Sequence, residues 1–233
     1  MKIFALIQAR ISSSRLPGKV LLEAKGKPLL EYLIERVQKS RELDGVIIAT
    51  STTPADDRIV QFCKDRNVKC FRGDLDNVTG RFLAAVQANP MDAFARISGD
   101  SPWIDPELVD TAVRAFKNGS YDLVTNVLER TFPSGESVEV LNAKVFSDHF
   151  KDIKSQDDRE HVTPYFYRNR DRFRILNLTP SGANYSSIRL SIDTQEDFDD
   201  FKRMLERLTK PFRDYGWKEI VRLKESLRQP LSL

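Results

Sequence analysis

Arg10, Arg15 and Lys19 fall within one short loop that follows a run of apolar residues, 3–7, at the start of the chain. The loop reads Gln8-Ala9-Arg10-Ile11-Ser12-Ser13-Ser14-Arg15-Leu16-Pro17-Gly18-Lys19, so three hydroxyls and a glycine stand among the three cations. The apolar run has the pattern of a buried parallel strand, and open α/β sheets bind ligands beyond the carboxyl ends of their strands. Guanidinium forks take phosphate oxygens in pairs, a lysine adds a point charge, and hydroxyls and backbone N–H groups donate hydrogen bonds. Such a loop suits a polyphosphate, although the same residues also describe a solvated surface turn. It contains neither GxxxxGK[ST] nor GxGxxG, so it is neither a P-loop nor a dinucleotide fingerprint.

Two aspartates occupy comparable positions further along. Asp100, in Ser98-Gly99-Asp100-Ser101-Pro102, stands at the end of an expected buried strand, and Asp193 follows Arg189-Leu190-Ser191-Ile192. Mg²⁺ prefers one or two carboxylates completed by water and phosphate oxygens. Each aspartate also has a local reading, Asp100 in a turn and Asp193 as a helix cap. Thr194 could cap while Asp193 ligates, so the two readings are compatible. Arg159 and His161, in Asp157-Asp158-Arg159-Glu160-His161, could hold an anionic acceptor or simply coat a helix. Glu136 and Glu139 could bind sugar hydroxyls or face solvent.

The elements that position these residues alternate over the first half. Strands are expected at 3–7, 45–50, 68–71 and 93–97, and helices at 27–39, 55–66, 78–88 and 106–117, the last capped by Asp105 with Pro106 in its first turn. This rhythm predicts an α/β fold with a mostly parallel, Rossmann-like sheet covered by helices on both faces. The second half changes character. Strands are expected at 123–127, 136–141, 174–178 and 187–192, and helices at 142–150, 157–169, 195–208 and 217–227. A mixed sheet edge with a substrate lobe is the expected result. One domain, 1–233, is anticipated, with a nucleotide-binding half (1–120) and an acceptor-binding and dimerisation half (121–233).

The bulk properties exclude several classes. A net charge of +3 over 233 residues gives no polyelectrolyte affinity, so no nucleic-acid partner is expected. The only cysteines, Cys63 and Cys70, form no CxxC pair and have no histidine nearby, which argues against zinc. No signal peptide or membrane-spanning run is apparent, and a cytoplasmic location without membrane association is expected.

Taken together, Ala9 to Lys19 resemble the opening signature of the CMP-sugar synthetases, which include the 3-deoxy-manno-octulosonate and acylneuraminate cytidylyltransferases. The chain is most similar to the spore-coat polysaccharide biosynthesis protein F branch, through Arg-Ile-Ser-Gly-Asp-Ser-Pro at 96–102, Arg-Glu-His-Val-Thr-Pro-Tyr at 159–165 and Asp-Thr-x-Glu-Asp at 193–197. The resemblance implies a nucleotidyltransferase fold of the glycosyltransferase-A-like type. It implies transfer of CMP from CTP to an acidic sugar, release of pyrophosphate, Mg²⁺ as cofactor, and a homodimer. Carried over by position, Arg15, Lys19 and Asp100 are the expected catalytic residues, and Asp100 and Asp193 the metal ligands. Ala9, Arg10, Ser14, Arg15, Lys19, Gly73, Asn77 and Arg81 are expected to bind nucleotide, and Glu139, Arg159 and His161 the acceptor. Asn77-Val78-Thr79-Gly80-Arg81 stands where the octulosonate enzymes carry Gly-Thr-Asp-Arg. Two alternatives stay open. One is a glycosyltransferase using a nucleotide sugar, for which Asp74-Leu75-Asp76 is the available metal motif. The other is a non-catalytic nucleotide-binding protein.

Overall fold

The computed structural model describes residues 1–227. Strand β1 (Ile3–Gln8) is an interior strand of a seven-stranded sheet. The chain leaves it through a small hairpin, β2 (Glu23–Ala24) and β3 (Lys27–Pro28), and helix α1 (Leu29–Val37). It then adds β4 (Gly45–Ser51), α2 (Asp57–Asp65) and β5 (Lys69–Gly73) outward on one side. Helix α3 (Val78–Ala88) carries it back across, so that β6 (Ala93–Ser98) pairs in parallel with the other edge of β1. The order of strands therefore reverses between β1 and β6, and the carboxyl ends of the strands flanking such a point diverge to leave a crevice.

After α4 (Pro106–Asn118) the sheet becomes mixed. Strand β8 (Glu139–Asn142) runs antiparallel to both β6 and β7 (Leu123–Thr125), and β9 (Ile175–Asn177) completes the order β5-β4-β1-β6-β8-β7-β9. Helices α5 (Ala143–His149), α6 (Gln156–His161), α7 (Pro164–Arg168), α8 (Gln195–Glu206) and α9 (Trp217–Ser226) fill the second half.

The pleat of β1 divides the core. Ile3, Ala5 and Ile7 pack with Leu30 and Leu33 of α1, Ile59 of α2 and Val109 of α4. Phe4 and Leu6 face the other way, against Val78 and Phe82 of α3, Phe146 of α5 and Phe166 of α7. Continuous burial on both faces is why β1 reads as an unbroken apolar run. A third cluster joins Phe198, Phe201 and Met204 of α8 and Ile220 of α9 to Trp103, Tyr32 and Leu16, which clamps the closing helices onto the first loop. None of the described helices is long and apolar enough to cross a membrane.

Several boundaries differ from the sequence expectation. Lys27 and Pro28 pair with Glu23 and Ala24 as β3, so the first helix starts at Leu29. The strand expected at 136–141 starts at Glu139, because Glu136 lies in a loop where its carboxylate accepts the Asp105 backbone N–H at 2.8 Å. The helix expected over 157–169 is two helices, broken where Val162 adopts φ 70° ahead of Pro164. The strand expected at 187–192 is reduced to one parallel bridge, Arg189 with Ser134. The expected Asp105 cap is present, its carboxylate accepting the Glu107 N–H, and Thr194 with Asp197 forms a capping box at α8.

Candidate active site

Loop 9–19 and the Gly99-Asp100 turn leave the sheet at the reversal between β1 and β6, and they enclose a cleft of about 440 Å³. Gly99 makes the close approach possible. A Cβ on it would lie 2.7 Å from the Gln8 carbonyl oxygen, and its own N–H donates to that oxygen at 2.8 Å.

Lys19 is the hub of the site. Its Nζ donates to Asp100 Oδ2 at 2.7 Å and to Asp193 Oδ1 at 2.8 Å. Residues remote in sequence thus converge on one ammonium, and their two oxygens lie no further apart than two hydrogen bonds laid end to end. Arg15 Nη2 adds a second cation at 2.9 Å from Asp193 Oδ1, and Arg189 Nη1 a third at 3.7 Å from Oδ2. Burial pushes the Asp193 carboxyl up, but the Lys19 hydrogen bond and the charges of Lys19, Arg15 and Arg189 outweigh it and hold the group below the ordinary carboxylate range.

Asp193 reaches this point although its segment is not a strand. Ile192 N–H donates to the Asp100 carbonyl at 2.8 Å, and Leu190 and Ser191 both donate to the Ser134 carbonyl. These backbone bonds replace sheet pairing and fix the two carboxylates side by side.

The remaining expected residues divide into three groups. Ala9, Arg10, Ser14, Arg15, Lys19, Arg81, Asp100, His161 and Asp193 all line the cleft. Asn77 and Arg159 line an adjoining hollow of about 570 Å³, which Arg10 and Glu160 also border. Asn77 is occupied as the cap of α3, accepting the Gly80 N–H at 2.8 Å. Gly73 and Glu139 line neither. Gly73 sits behind Arg81, whose Cγ would lie 2.8 Å from a Cβ placed there. Glu139 is buried and stands behind Arg96 as its ion-pair partner, so its expected place at the acceptor is corrected to a supporting one. Glu136, read as sugar-binding or solvent-facing, is fully buried away from the cleft.

Arg81 is 2% exposed and lowered to about 10 by burial and by the charge of Arg10. Its Nη1 donates to the Asp74 carbonyl at 2.6 Å, while its Nε has no partner. The buried guanidinium therefore places a positive charge in the cleft wall.

The Asp-x-Asp reading of Asp74-Leu75-Asp76 finds no support in this arrangement. Asp74 Oδ1 accepts the backbone N–H groups of Asp76 and Asn77 at 2.8 and 2.7 Å, so that carboxylate closes its own turn. Among the described residues no cluster of three or more His, Cys, Asp or Glu could hold a metal. Asp100 and Asp193 fit Mg²⁺ in the other manner, as a hard oxygen pair already gathered around a cation, Lys19.

A family model described as cytidylyltransferase matches residues 4–226. The chain belongs to the cytidylyltransferase family. It is 35% identical over 214 residues to the spore coat polysaccharide biosynthesis protein SpsF of Bacillus subtilis, covering 88% of this chain and 87% of that relative. It is 33% identical over 175 residues to a 3-deoxy-manno-octulosonate cytidylyltransferase of Solibacter usitatus, covering 71% and 68%. The structure of a cytidylyltransferase from Leptospira borgpetersenii superposes with a TM-score of 0.92 at 27% identity, covering 98% of this chain and 95% of the other.

This cytidylyltransferase also presents cleft residues that the sequence reading passed over: Gln8, Ser13, Arg96, Ser98 and Glu160. One signal could have found two of them. Arg96, Ser98 and Asp100 alternate, and a period of two puts them on the same face of β6 and its extension.

Proposed function

We propose that this protein transfers CMP from CTP to an oxygen of an acidic sugar-like acceptor, with Mg²⁺, and releases pyrophosphate. The observation that carries the proposal is the convergence of Asp100 and Asp193 on Lys19 beside Arg15. Two carboxylates would hold the cation, and three basic side chains from one loop would hold the phosphates.

The chemistry asks little covalent work of the protein. An acceptor oxygen attacks the α-phosphorus, the bond to the bridging oxygen breaks, and the electron pair leaves with pyrophosphate. Arg15 and Lys19 neutralise charge developing on the leaving pyrophosphate, and Arg10 sits nearer the α-phosphate. Asp100 and Asp193 would ligate Mg²⁺, which when bound screens phosphate charge and lowers the pKa of a coordinated hydroxyl. A cation held there would take those oxygens from Lys19 and leave its ammonium available to phosphate. Nucleotide activation is the form in which monomers enter polysaccharide assembly, which accords with the spore coat relative.

The test is pyrophosphate release from each of four nucleoside triphosphates, crossed with a panel of sugar acids that includes 3-deoxy-manno-octulosonate. Release from CTP alone, dependent on Mg²⁺ and on one acceptor, and lost by about a hundredfold or more in Asp100→Asn, is expected. Release from UTP or ATP in preference to CTP, or full activity in Asp100→Asn, would overturn it.

A further inference from the structure

A polar row crosses the sheet one pleat beyond the core. On one face Phe4, Phe94, Leu141 and Leu123 form an apolar row on β1, β6, β8 and β7. Two positions further along on that face stand Arg96, Glu139 and Thr125, with the ladder pairing Arg96 with Glu139 and Thr125 with Glu139, while Gln8 lies one such step beyond Leu6, the β1 partner of Arg96. The four are tied together. Arg96 Nε and Nη2 donate to Gln8 Oε1 at 3.3 and 3.1 Å, and its Nη1 donates to Glu139 Oε2. Glu139 Oε1 accepts from Thr163 Oγ1 at 2.6 Å and from the Tyr167 hydroxyl, which lies 2.9 Å from Thr125 Oγ1.

The row is fixed at its back and open at its front. Side-chain exposure is 2% for Glu139 but 17% for Arg96, and Arg96 lines the cleft with Gln8. A guanidinium has five N–H groups. After Gln8 and Glu139 are served, one N–H on each terminal nitrogen has no acceptor among the described residues. Terminal guanidinium N–H groups are the donors that match the oxygens of a carboxylate or phosphate. Neutralising Glu139 uses one of the five N–H groups, so that pairing does not account for the exposure of the Arg96 side chain at the cleft.

We infer that Arg96, held in place by Gln8 and Glu139, binds the acid group of the acceptor and so sets the preference for acidic substrates. This rests on the transferase reading above and deepens it: Arg96 reads the acceptor, whereas Arg10, Arg15 and Lys19 serve the nucleotide. Carboxylate and phosphate share the required chemistry. Glu139 is a positioning residue that acts through Arg96.

The experiment measures binding to the CTP-loaded protein by calorimetry, in two arms. One compares 3-deoxy-manno-octulosonate with its carboxamide, and the other ribose 5-phosphate with ribose. In the wild type one acid is expected to outbind its neutral twin by about tenfold or more. In Arg96→Gln that preference should vanish while affinity for CTP is unchanged. Because Arg96→Gln strands the Glu139 carboxylate, the double variant Arg96→Gln/Glu139→Gln is run beside it, with melting temperatures for both. If neither acid outbinds its twin in the wild type, or the preference persists in a folded Arg96 variant, the inference is overturned. Failure of the wild type to bind CTP would instead sink the transferase reading, and the two failures are therefore distinguishable.

Discussion

The backbone N–H of Ile192 donates to the carbonyl of Asp100 at 2.8 Å. This one bond sets the separation of the two carboxylates, since Asp193 follows Ile192 directly. It exists only because segment 188–191 is itself anchored on Ser134, through Ser134 N–H to the Ile188 carbonyl and through Leu190 and Ser191 N–H to the Ser134 carbonyl. A short turn remote in sequence from either aspartate thereby supports the site.

Gly135 is the weak point of that anchor. It has φ 95°, and a Cβ on it would lie 2.7 Å from Ser191 N and 2.8 Å from the Leu190 carbonyl carbon. Gly135→Ala is expected to cost about 1–3 kcal/mol of stability through backbone strain. It should also push the segment bearing Asp193 away and reduce kcat at least tenfold. Gly182→Ala is the control. Gly182 also has positive φ, 102°, but nothing within 4 Å, so strain should come without loss of kcat. Equal effects of the two substitutions on kcat would remove the anchor's role.

Much of this was legible in the sequence, for a stated reason. Residues buried on both faces of a parallel sheet leave continuous apolar runs; β1 and β4 show them, and β6 shows one interrupted by Arg96 alone. The strand-end positions of Asp100 and loop 9–19 follow from those runs. What the order of residues does not display is pairing across strands. Glu139 reads as a free carboxylate on a strand until the antiparallel register sets it opposite Arg96. Asp193 reads as the end of a strand, yet its segment bonds to a turn and to the Asp100 carbonyl rather than joining the sheet. Val162 breaks its helix with a positive φ that a β-branched residue rarely adopts, so nothing local announces the break.

If Asp100 and Asp193 hold a divalent cation as proposed, Lys19, which donates to both, competes with it for the same two oxygens. Lys19→Met is expected to lower kcat by about a hundredfold or more, since one charge-stabilising contact is lost. The same variant should bind Mn²⁺ more tightly than the wild type when no nucleotide is present, because two facing carboxylates lose their internal counter-ion. Electron paramagnetic resonance titration of free Mn²⁺ measures this directly. Weaker Mn²⁺ binding in Lys19→Met, or an unchanged kcat, would contradict the competition.

Asp193 links stability to acid pH. Its folded-state pKa is depressed, because the hydrogen bond from Lys19 and the charges of Lys19, Arg15 and Arg189 outweigh desolvation. Such a group favours the fold fully above its unfolded pKa of about 3.9, and the contribution disappears as pH falls through the lower folded value. Thermal melts of the wild type and Asp193→Asn should differ by a constant amount between about pH 5 and 8 and converge below about pH 4. A difference that stays constant into strong acid would show that Asp193 does not feel these cations.

Glu136 should act with the opposite sign. It is fully buried, Oε2 accepts the Asp105 N–H, and Oε1 has no partner. Desolvation and the neighbouring Asp105 carboxylate push its pKa well above the ordinary range, against the opposing pull of Arg36. Folding therefore takes up a proton. The stability tied to Glu136 is fully present below its unfolded pKa of about 4.3 and is lost as pH rises toward the folded value. Glu136→Gln has the shape of the neutral acid and cannot titrate. The melting temperature of Glu136→Gln minus that of the wild type should accordingly rise between pH 4 and pH 7, whatever its absolute value at either end. The slope is the diagnostic, because any hydrogen bonds the new amide gains or loses contribute an amount that does not depend on pH. A flat or falling difference would mean that Glu136 is ionised in the fold and that Arg36, whose side chain donates to the carbonyls of Ile104, Phe212 and Tyr215, still neutralises it across the core.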